Sequence, residues 1–401
     1  MRRSWSPSIC PLPGSPAPPA GGSRIGERGA RRVVRRWSPC PTWSRRRWPG
    51  PCGKAAGWRR SFTPTGWPAT AGSARCSASR ELQDVSEAAQ ALGIDVGGTK
   101  IESLRVARDG SILSRSRSVT PADDPEATIA AMIEAAKGLL EPQVVAIGVG
   151  AAGLVDANSG VLRFAPNLAW RELPIAARMS DALGLPCQVD NDANVAAWGE
   201  YRFGAGRGYR HMLLVTVGTG IGGGIVAGRR LFRGAHGFAA EIGHIIVEPD
   251  GPLCGCGNRG CLEQVASGQA IGRLGREAAA DRPQSLIAEL ADHDPMHVTG
   301  ETVTRAAKAG DDVAIRILSQ VGGRLGEGIA GLVNVIDPQI VVIGGGVVEA
   351  GDLLIRPAEA AFIQAVEGYE HRPAVPLVAA QLGNDAGAVG AAALALEELG
   401  S

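Results

Sequence analysis

The globular part of the chain opens with the nine residues LGIDVGGTK at positions 92–100. The apolar run Ala91–Val96 has the length and composition of a short buried strand, and the two glycines that follow it end the strand. Glycines let backbone N–H groups approach a phosphate closely, and the motif adds a hydroxyl donor, a positive charge and a carboxylate suited to Mg²⁺. The predicted contacts to nucleotide and Mg²⁺ are Asp95, Gly97, Gly98, Thr99 and Lys100. The same residues also suit a tight β-hairpin, so the motif alone leaves both interpretations open.

The segments after this motif predict an α/β module. Two further strands, Lys100–Ala107 and Ile112–Val119, flank a turn at residues 108–110. A helix is predicted over Pro125–Leu140 and a buried strand over Val144–Val149. Three strands in hairpin order, then a helix and a strand, differ from the strict alternation of a Rossmann sheet. They match the ribonuclease-H-like module of actin-like ATPases, an inference that rests on fold-level analogy.

A second module repeats this pattern further along the chain. The strand His211–Val217 runs into a second Gly-Thr turn, and Gly223–Ala227 is the next strand. Two such turns about 120 residues apart predict a nucleotide held between two related lobes. A later glycine cluster follows the strand Ile340–Ile343 and suits adenine or ribose, although a plain strand-to-helix turn explains it nearly as well. The predicted nucleotide contacts of these turns are Gly218, Thr219, Gly220, Gly344, Gly345 and Gly346. The strand Val375–Ala379 and the helix Ala386–Leu399 follow.

A carboxylate suited to catalysis lies where a strand meets a helix. The strand Cys187–Asp190 is followed by a helix over Asn191–Glu200. Transfer of a phosphoryl group from ATP to a hydroxyl needs a carboxylate that orients the hydroxyl and accepts its proton, and Asp192 is the candidate. Asn191 offers an amide that both donates and accepts hydrogen bonds, as sugar hydroxyls require. Ordinary N-terminal capping of the helix is an equally weighted alternative for these residues.

Residues 241–263 contain the most specific pattern, EIGH followed by CGCGNRGCLE. One His and three Cys within eighteen positions, separated by glycines, suit a closed tetrahedral Zn²⁺ site. The predicted ligands are His244, Cys254, Cys256 and Cys261. Because four protein ligands leave no open position, the metal is expected to be structural. Glu241 and Glu263 flank the site and could accept hydrogen bonds from sugar hydroxyls, although without the motif a solvated surface pair would be the better interpretation.

Together these motifs resemble the ROK family of sugar kinases and regulators, and within it the bacterial glucokinases that carry zinc. The resemblance spans residues 91–399 and is carried by LGIDVGGTK, PNLAW, VDNDAN, VTVGTGIGGGI, EIGH, CGCGNRGCLE and IVVIGGG. It implies an α/β fold of two ribonuclease-H-like (actin-like ATPase) lobes with the active site in the cleft between them. The implied smaller lobe covers residues 88–199 plus 388–401, and the larger lobe covers 200–387 with the zinc-binding loop.

The resemblance also implies a reaction and a set of roles. The reaction is the ATP-dependent phosphorylation of glucose to glucose 6-phosphate, with Asp192 as general base on the 6-hydroxyl. The implied cofactors are ATP, Mg²⁺ and structural Zn²⁺, and the implied assembly is a homodimer or homotetramer. The residues implied to hold sugar hydroxyls are Asn167, Asn191, Glu241, His244 and Glu263.

The first eighty residues differ from the rest in charge and composition. They hold fifteen Arg and one Lys against the single acid Glu27, a net charge of +15, whereas the remainder carries −14. They also contain six of the eight Trp and twelve of the 26 Pro, without any apolar periodicity. We expect residues 1–87 to be a disordered extension, or upstream sequence translated from a misplaced start, since the next methionine is Met132. A nucleic-acid-binding arm and an organellar targeting peptide are the alternatives.

The remaining composition limits the expected partners and compartment. The acidic globular part repels nucleic acid, and no apolar run of the sequence reaches the length of a membrane span, so neither partner is expected. The basic start lacks the apolar run of a secretory signal. The three clustered cysteines indicate metal ligation rather than disulfides, so we expect a cytoplasmic location.

Three alternative functions stay open at this point. A kinase for N-acetylglucosamine or N-acetylmannosamine differs by a few sugar-pocket residues that the motifs do not report. A ROK transcriptional regulator carries a helix-turn-helix domain ahead of the kinase-like core, but the Pro and Gly density of the first eighty residues argues against two packed helices there. A polyphosphate-dependent glucokinase generally lacks the cysteine-rich loop that is present here.

Overall fold

Short apolar segments form the strands of the protein, as the sequence predicts. The computed structural model describes residues 88–165 and 170–399, so the predicted extension 1–87 lies outside the described residues. The strands are β1 (Gln90–Val96), β2 (Lys100–Ala107), β3 (Ile112–Val119), β4 (Val144–Ala151), β5 (Leu154–Asp156), β6 (Val161–Phe164), β7 (Arg171–Leu173), β8 (Cys187–Asn191), β9 (Met212–Val217), β10 (Ile221–Ala227), β11 (Arg230–Leu231), β12 (Ile340–Gly344) and β13 (Leu377–Ala379).

Helices separate and cover these strands. They are α1 (Pro125–Lys137), α2 (Ile175–Leu183), α3 (Asp192–Phe203), α4 (Leu262–Ala266), α5 (Gly268–Asp281), α6 (Leu286–Glu289), α7 (Gly300–Lys308), α8 (Asp312–Ile336), α9 (Asp352–Ala365) and α10 (Ala386–Glu398). Short 3₁₀ segments span Ile242–His244, Pro295–His297, Gly346–Ala350, Tyr369–His371 and Gly383–Asp385. No helix in the described ranges is both long and apolar enough to cross a membrane.

The first sheet has the strand order β3-β2-β1-β4-β8. Strand β1 is antiparallel to β2 and parallel to β4, so the chain makes a hairpin before it crosses over through α1. Leu92, Ile94 and Val96 point to the face that also buries Ile129 of α1. The alternate residues of β1 face α10, and Gly93 lets the backbone of that helix approach the strand closely. The sheet is therefore covered by helices on both faces.

The second sheet has the order β11-β10-β9-β12-β13, which repeats the hairpin and parallel neighbour of the first. Strand β9 is antiparallel to β10 and parallel to β12. Helices α8 and α9 pack together beside this sheet, and their apolar residues belong to its core. Helix α3 packs against β9 and β10 on one side and against α10 on the other. The pair α3 and α10 therefore lies between the two sheets, and the predicted fold class is confirmed.

Several predicted boundaries shift for local physical reasons. The helix predicted to reach Leu140 ends at Lys137, because Gly138 caps it. The strand predicted from Val375 begins at Leu377, since Pro376 has no N–H to donate to a ladder. The small sheet β5-β6-β7 and helix α2 have no counterpart in the sequence-based prediction. The lobe boundaries at residues 199, 200, 387 and 388 stay a prediction.

Candidate active site

The first turn of α3 holds the predicted catalytic carboxylate. Asn191 is the N-cap, and its Oδ1 accepts hydrogen bonds from the N–H groups of Ala193 (2.9 Å) and Asn194 (3.1 Å). Its Nδ2 donates to the carbonyl of Gly153 at 3.0 Å. Helix capping, the alternative interpretation of this segment, therefore uses Asn191 and leaves Asp192 as the first helical residue. The oxygen of Asn191 is committed to the helix, so mainly its second N–H is left for a ligand.

A cavity of about 210 Å³ lies where the two sheets approach each other. The sequence-predicted residues that line it are Asp95, Lys100, Asp192, Gly344 and Gly345. The structure thus brings together a lysine from β2 and carboxylates from β1 and α3 that are far apart in sequence. Further lining residues, which the sequence did not indicate, include Glu200, Thr216, Gly383, Asn384 and Gly387.

Two of the carboxyl groups that line this cavity, those of Asp95 and Asp192, have raised pKa values. Burial, reinforced by the nearby charge of Asp192, raises the pKa of Asp95 to about 7, although Lys100 acts in the opposite direction. Burial also raises the pKa of Asp192, and hydrogen bonds including the one from the Ala193 N–H (2.9 Å) limit the rise. Buried acids with raised pKa values that lie close together are typical of functional sites.

The turn between β1 and β2 is a tight hairpin. Gly97 donates its N–H to the carbonyl of Lys100 at 3.0 Å, and the hydroxyl of Thr120 donates to the carbonyl of Gly97 at 2.8 Å. Gly98 and Thr99 are exposed. None of Gly97, Gly98 and Thr99 is among the described residues that line the 210 Å³ cavity. The glycines of this motif form the hairpin, and its charged residues Asp95 and Lys100 line the cavity, while its nucleotide contacts stay a prediction.

The turn between β9 and β10 borders a larger cavity of about 640 Å³. Gly218 and Thr219 line it, and their carbonyls accept hydrogen bonds from the N–H groups of Gly268 (2.8 Å) and Gln269 (3.2 Å). Gly346 lines the same cavity, whereas Gly344 and Gly345 line the smaller one. The predicted nucleotide contacts after β12 are therefore divided between the two cavities.

The larger cavity also contains residues that the sequence analysis missed. They include Gln269, Arg276, Thr299, Glu301, Thr304 and Glu349. Gln269 and Glu301 lie in the first turns of α5 and α7, which Ser267 and Thr299 cap through their hydroxyls, and Arg276 and Thr304 lie further along the same helices. Exposed N–H groups at helix starts favour anions. A Ser or Thr followed by Gly, as at 267–268 and 299–300, is the sequence signal that could have identified these helix starts.

The four predicted metal ligands converge at one point. The ligand atoms of His244, Cys254, Cys256 and Cys261 all lie within 4.8 Å of one another. Cys254 Sγ is 3.6 Å from His244 Nδ1, and Cys256 Sγ is 3.7 Å from Cys261 Sγ. A tetrahedron with Zn–S near 2.3 Å and Zn–N near 2.0 Å has edges of about 3.8 Å between sulfurs and about 3.5 Å between sulfur and nitrogen. The cluster is therefore compatible with tetrahedral Zn²⁺.

The carboxylates predicted to contact sugar surround this cluster. Glu263 Oε2 accepts a hydrogen bond from the N–H of Ile221 at 3.1 Å, and its Oε1 lies 3.9 Å from Cys254 Sγ. Glu241 is exposed as a residue, but partial burial of its carboxyl and the charges of Asp192 and Glu263 raise its pKa, which His244 lowers. Glu241 is therefore a neighbour of both Glu263 and the cavity carboxylate Asp192. Asn167 lies outside the described residues.

Two five-stranded sheets of matching order, with carboxylates and a lysine in a cavity between them, define the class of actin-like ATPases and sugar kinases. The chain belongs to the ROK family, which it matches over residues 91–398.

Known proteins similar to the chain include kinases of two sugars. It is 43% identical over 309 residues to the glucokinase of Streptomyces coelicolor, covering 76% of this chain and 97% of that protein. It is 37% identical over 318 residues to the N-acetylmannosamine kinase of Citrobacter koseri, covering 76% of this chain and 98% of the relative. The crystal structure of a ROK family glucokinase from Streptomyces griseus in complex with glucose and AMPPNP superimposes with a TM-score of 0.71. Its sequence identity is 43%, with 77% of this chain and 99% of that chain covered.

Proposed function

We propose that the protein transfers the γ-phosphoryl group of ATP to the 6-hydroxyl of glucose, giving glucose 6-phosphate and ADP. The observation that carries this proposal is the convergence of Asp192, Asp95 and Lys100 on one cavity between the two sheets. The 43% identity to a glucokinase and the likeness to a glucokinase that binds glucose and AMPPNP, an ATP analogue, support the choice of sugar and donor.

Asp192 acts in this proposal as the general base. Its carboxylate accepts the proton of the sugar hydroxyl while the hydroxyl oxygen forms a bond to the γ-phosphorus and the bond to the β-phosphate oxygen breaks. Burial raises its pKa above that of an ordinary carboxyl group, which makes the carboxylate a stronger base at neutral pH. The Asn191 cap fixes the start of the helix, so the carboxylate is held in one place before the substrates bind.

The phosphates of ATP are assigned to the region between the two turns. Lys100 supplies positive charge in the smaller cavity, and the turn of Gly218 and Thr219 lies where backbone and hydroxyl donors can contact phosphate. The larger cavity has room for the adenosine part of the nucleotide. Asp95 is the candidate to hold Mg²⁺, because it is a hard oxygen donor whose ionised form a cation would stabilise. When bound, Mg²⁺ would neutralise charge on the phosphate oxygens.

The sugar is assigned to the residues around the metal cluster. Glu241, Glu263 and the second ring nitrogen of His244 are the proposed hydroxyl partners, with Asn191 and Asn167 nearby. The zinc ion is proposed to be structural, since four protein ligands complete its coordination. Glu263 lies on α4, two residues after the ligand Cys261, and also accepts the N–H of Ile221. The metal thus braces the sugar contacts against the second Gly-Thr turn.

A kinase for N-acetylmannosamine or N-acetylglucosamine is the second candidate, favoured by the 37% identity to an N-acetylmannosamine kinase. A transcriptional regulator is disfavoured because the carboxylates, the lysine and the metal ligands expected of a kinase are all present. We propose further that the protein forms a homodimer or homotetramer, acts in the cytoplasm and does not bind nucleic acid, as its family resemblance and acidic globular part suggest.

A coupled assay of ADP release tests the function directly. Purified protein is assayed with glucose, mannose, fructose, N-acetylglucosamine and N-acetylmannosamine, with Mg²⁺ and with either ATP or polyphosphate as the donor. The proposal predicts that kcat/KM is highest for glucose. A higher value for an N-acetyl hexosamine would support the second candidate, and turnover that requires polyphosphate, read as glucose 6-phosphate formation, would contradict the choice of donor.

A further inference from the structure

The residue two positions before the proposed base is a buried, fully bonded carboxylate. The side chain of Asp190 is 1% exposed. Its Oδ1 accepts hydrogen bonds from the Asn191 N–H (2.8 Å) and from Nδ2 of Asn194 (2.9 Å), both at the start of α3. Its Oδ2 accepts a hydrogen bond from Nε of Arg233 at 2.5 Å. Asp190 therefore ties the helix that carries Asp192 to a residue more than forty positions away.

Arg233 belongs to the other half of the molecule. It follows β11 at the edge of the second sheet and precedes Glu241, a proposed sugar contact, by eight positions. Its carbonyl accepts the N–H of Ala239 at 3.1 Å, which closes residues 233–239 into a loop. At Gly237 (φ 88°) the loop backbone packs against the backbone of β5 near Val155. The loop that leads to the sugar contacts thus rests on the half that carries the base.

The ion pair between the buried Asp190 and the partly exposed Arg233 constrains the positions of both side chains. The carboxylate of Asp190 is buried, so loss of Arg233 would leave that charge without its cationic partner. Arginine fixes direction as well as charge, because its guanidinium is planar and rigid. Arg233 Nη2 also lies 3.7 Å from Glu398 Oε1 on α10, the helix that packs beside α3. The guanidinium is therefore held from two sides.

We propose that Asp190 and Arg233 are a positioning pair that sets the distance between the base Asp192 and the sugar contacts on the segment of Glu241 and His244. This inference rests on the proposed kinase function. Neither member of the pair is assigned a contact with substrate. Displacing a reacting group by about 1 Å can cost about 10²-fold in rate, so the pair acts on kcat more than on the binding of either substrate.

Steady-state kinetics of variants test this pair. Arg233→Ala is expected to lower kcat by about 10²-fold and Arg233→Lys by about tenfold, with KM for glucose and ATP within about fivefold of wild type. Asp190→Asn is expected to lie between the two. Arg178→Ala is the matched control, because Arg178 forms a two-bond ion pair with Glu126 within the first half of the molecule. Its kcat should stay within about twofold of wild type.

Chemical rescue separates positioning from mere stability. The kcat of each variant is measured well below its melting temperature, with and without tens of millimolar guanidinium chloride. The same concentration of NaCl serves as the control for ionic strength. Guanidinium should restore about tenfold in kcat to Arg233→Ala by occupying the vacated site, and should leave Arg178→Ala unchanged. If Arg233→Ala does not fold, the kcat values of Arg233→Lys and Asp190→Asn provide the test.

The outcomes distinguish this inference from the function on which it rests. Wild-type protein without sugar kinase activity would refute the proposed function itself. Active wild type with kcat within twofold for all folded variants at these two positions would overturn the positioning pair alone. Equal kcat losses in Arg178→Ala, or equal rescue by NaCl, would also overturn it, because either result would trace the losses to general stability or ionic strength.

Discussion

The turn between β1 and β2 and the turn between β9 and β10 both place a Gly-Thr pair after a buried strand. In the first, Gly98 and Thr99 are exposed, and the residues that reach the small cavity are the charged ones on either side, Asp95 and Lys100. In the second, the backbone itself borders the larger cavity, and its carbonyls are bonded to the start of α5.

The difference shows that one sequence signal can serve two physical purposes. The first turn brings a lysine and a carboxylate to the cavity, while its glycines only close a hairpin. The second turn presents backbone atoms to the larger cavity. Glu263, which follows the metal ligands in sequence, braces this turn by accepting the N–H of Ile221. We therefore expect activity to depend on the charge of residues at the first turn and on the shape of the backbone at the second.

The largest expected effect lies at Asp192, between the two turns. Asp192→Asn should lower kcat by about 10³-fold, because an amide cannot accept the hydroxyl proton. Calorimetric titration with glucose should give a dissociation constant within a few-fold of wild type. Activity within tenfold of wild type would remove Asp192 from the role of base, and with it the reason to place the chemistry between the turns.

Removal of the Asp95 charge at the first turn should lower the activity of the protein but raise its stability at pH 8. Asp95→Asn is expected to lower kcat by about 10²-fold, because the proposed Mg²⁺ ligand is lost. The Asp95 carboxyl ionises near pH 3.8 when unfolded but keeps its proton to about pH 7 when folded. Wild type in chelator therefore loses stability as the pH rises from about 4 to about 7, and the variant lacks this slope. At pH 8 urea unfolding should show the variant to be more stable by about 1–3 kcal/mol.

Asp109→Asn is the control for this experiment. Asp109 lies in the exposed turn between β2 and β3, where the N–H of Ser111 donates to it at 2.9 Å and lowers its pKa. Its loss should therefore not stabilise the protein at pH 8 and should leave kcat unchanged. Equal pH slopes for wild type and Asp95→Asn would contradict the raised pKa.

Loss of the metal should also weaken the turn between β9 and β10, although the metal ligands lie outside this turn. Cys256→Ala is expected to lose zinc, measured by elemental analysis, and to lower the melting temperature by about 5–10 °C. Because the metal loop holds Glu263 against Ile221, KM for ATP should also rise. Cys187→Ala serves as the control, since Cys187 lies on β8 and outside the cluster. One zinc per chain retained in Cys256→Ala would refute the ligand set.

The smallest expected effect comes from adding one methyl group to each turn. A Cβ on Gly220 would collide with the carboxylate of Glu263, whereas a Cβ on Gly97 would meet only the carbonyl of Lys100 at 3.7 Å. Gly220→Ala should therefore lower stability by about 1–2 kcal/mol and kcat/KM by about tenfold. Gly97→Ala should stay within about twofold in kcat/KM. The reverse order would show that the first turn, not the second, is limited by shape.

Local sequence pattern was enough to predict the elements to which the proposed chemistry is assigned. Strand β2 and the hairpin beside it, the start of α3, and the metal ligands follow from runs and spacings that neighbouring residues determine. The structure was needed to identify the cap, because capping and catalysis suit the same two residue types. Only the folded protein shows that Asn191 accepts the helix N–H groups, and the catalytic role of Asp192 stays a prediction.

Features assembled from distant segments were not predictable in this way. Strands β5 to β7 have three or four residues each, too few for alternation to be read. Glu200 lines the smaller cavity and accepts the N–H of Leu382 at 2.7 Å, but in sequence it is an ordinary acid on a helix. Asp190 likewise acquires its partner Arg233 only when the two sheets come together.

The position of α10 has a consequence for the biogenesis of the protein. This helix covers the first sheet at β1 and β4, and its first residues Ala386 and Gly387 complete the wall of the smaller cavity. A ribosome makes β1 long before α10, so the second sheet can be completed while one face of the first is still bare. A chain released before α10 would display that apolar face to chaperones and proteases. We therefore expect the proposed enzyme to become active only after α10 has been made.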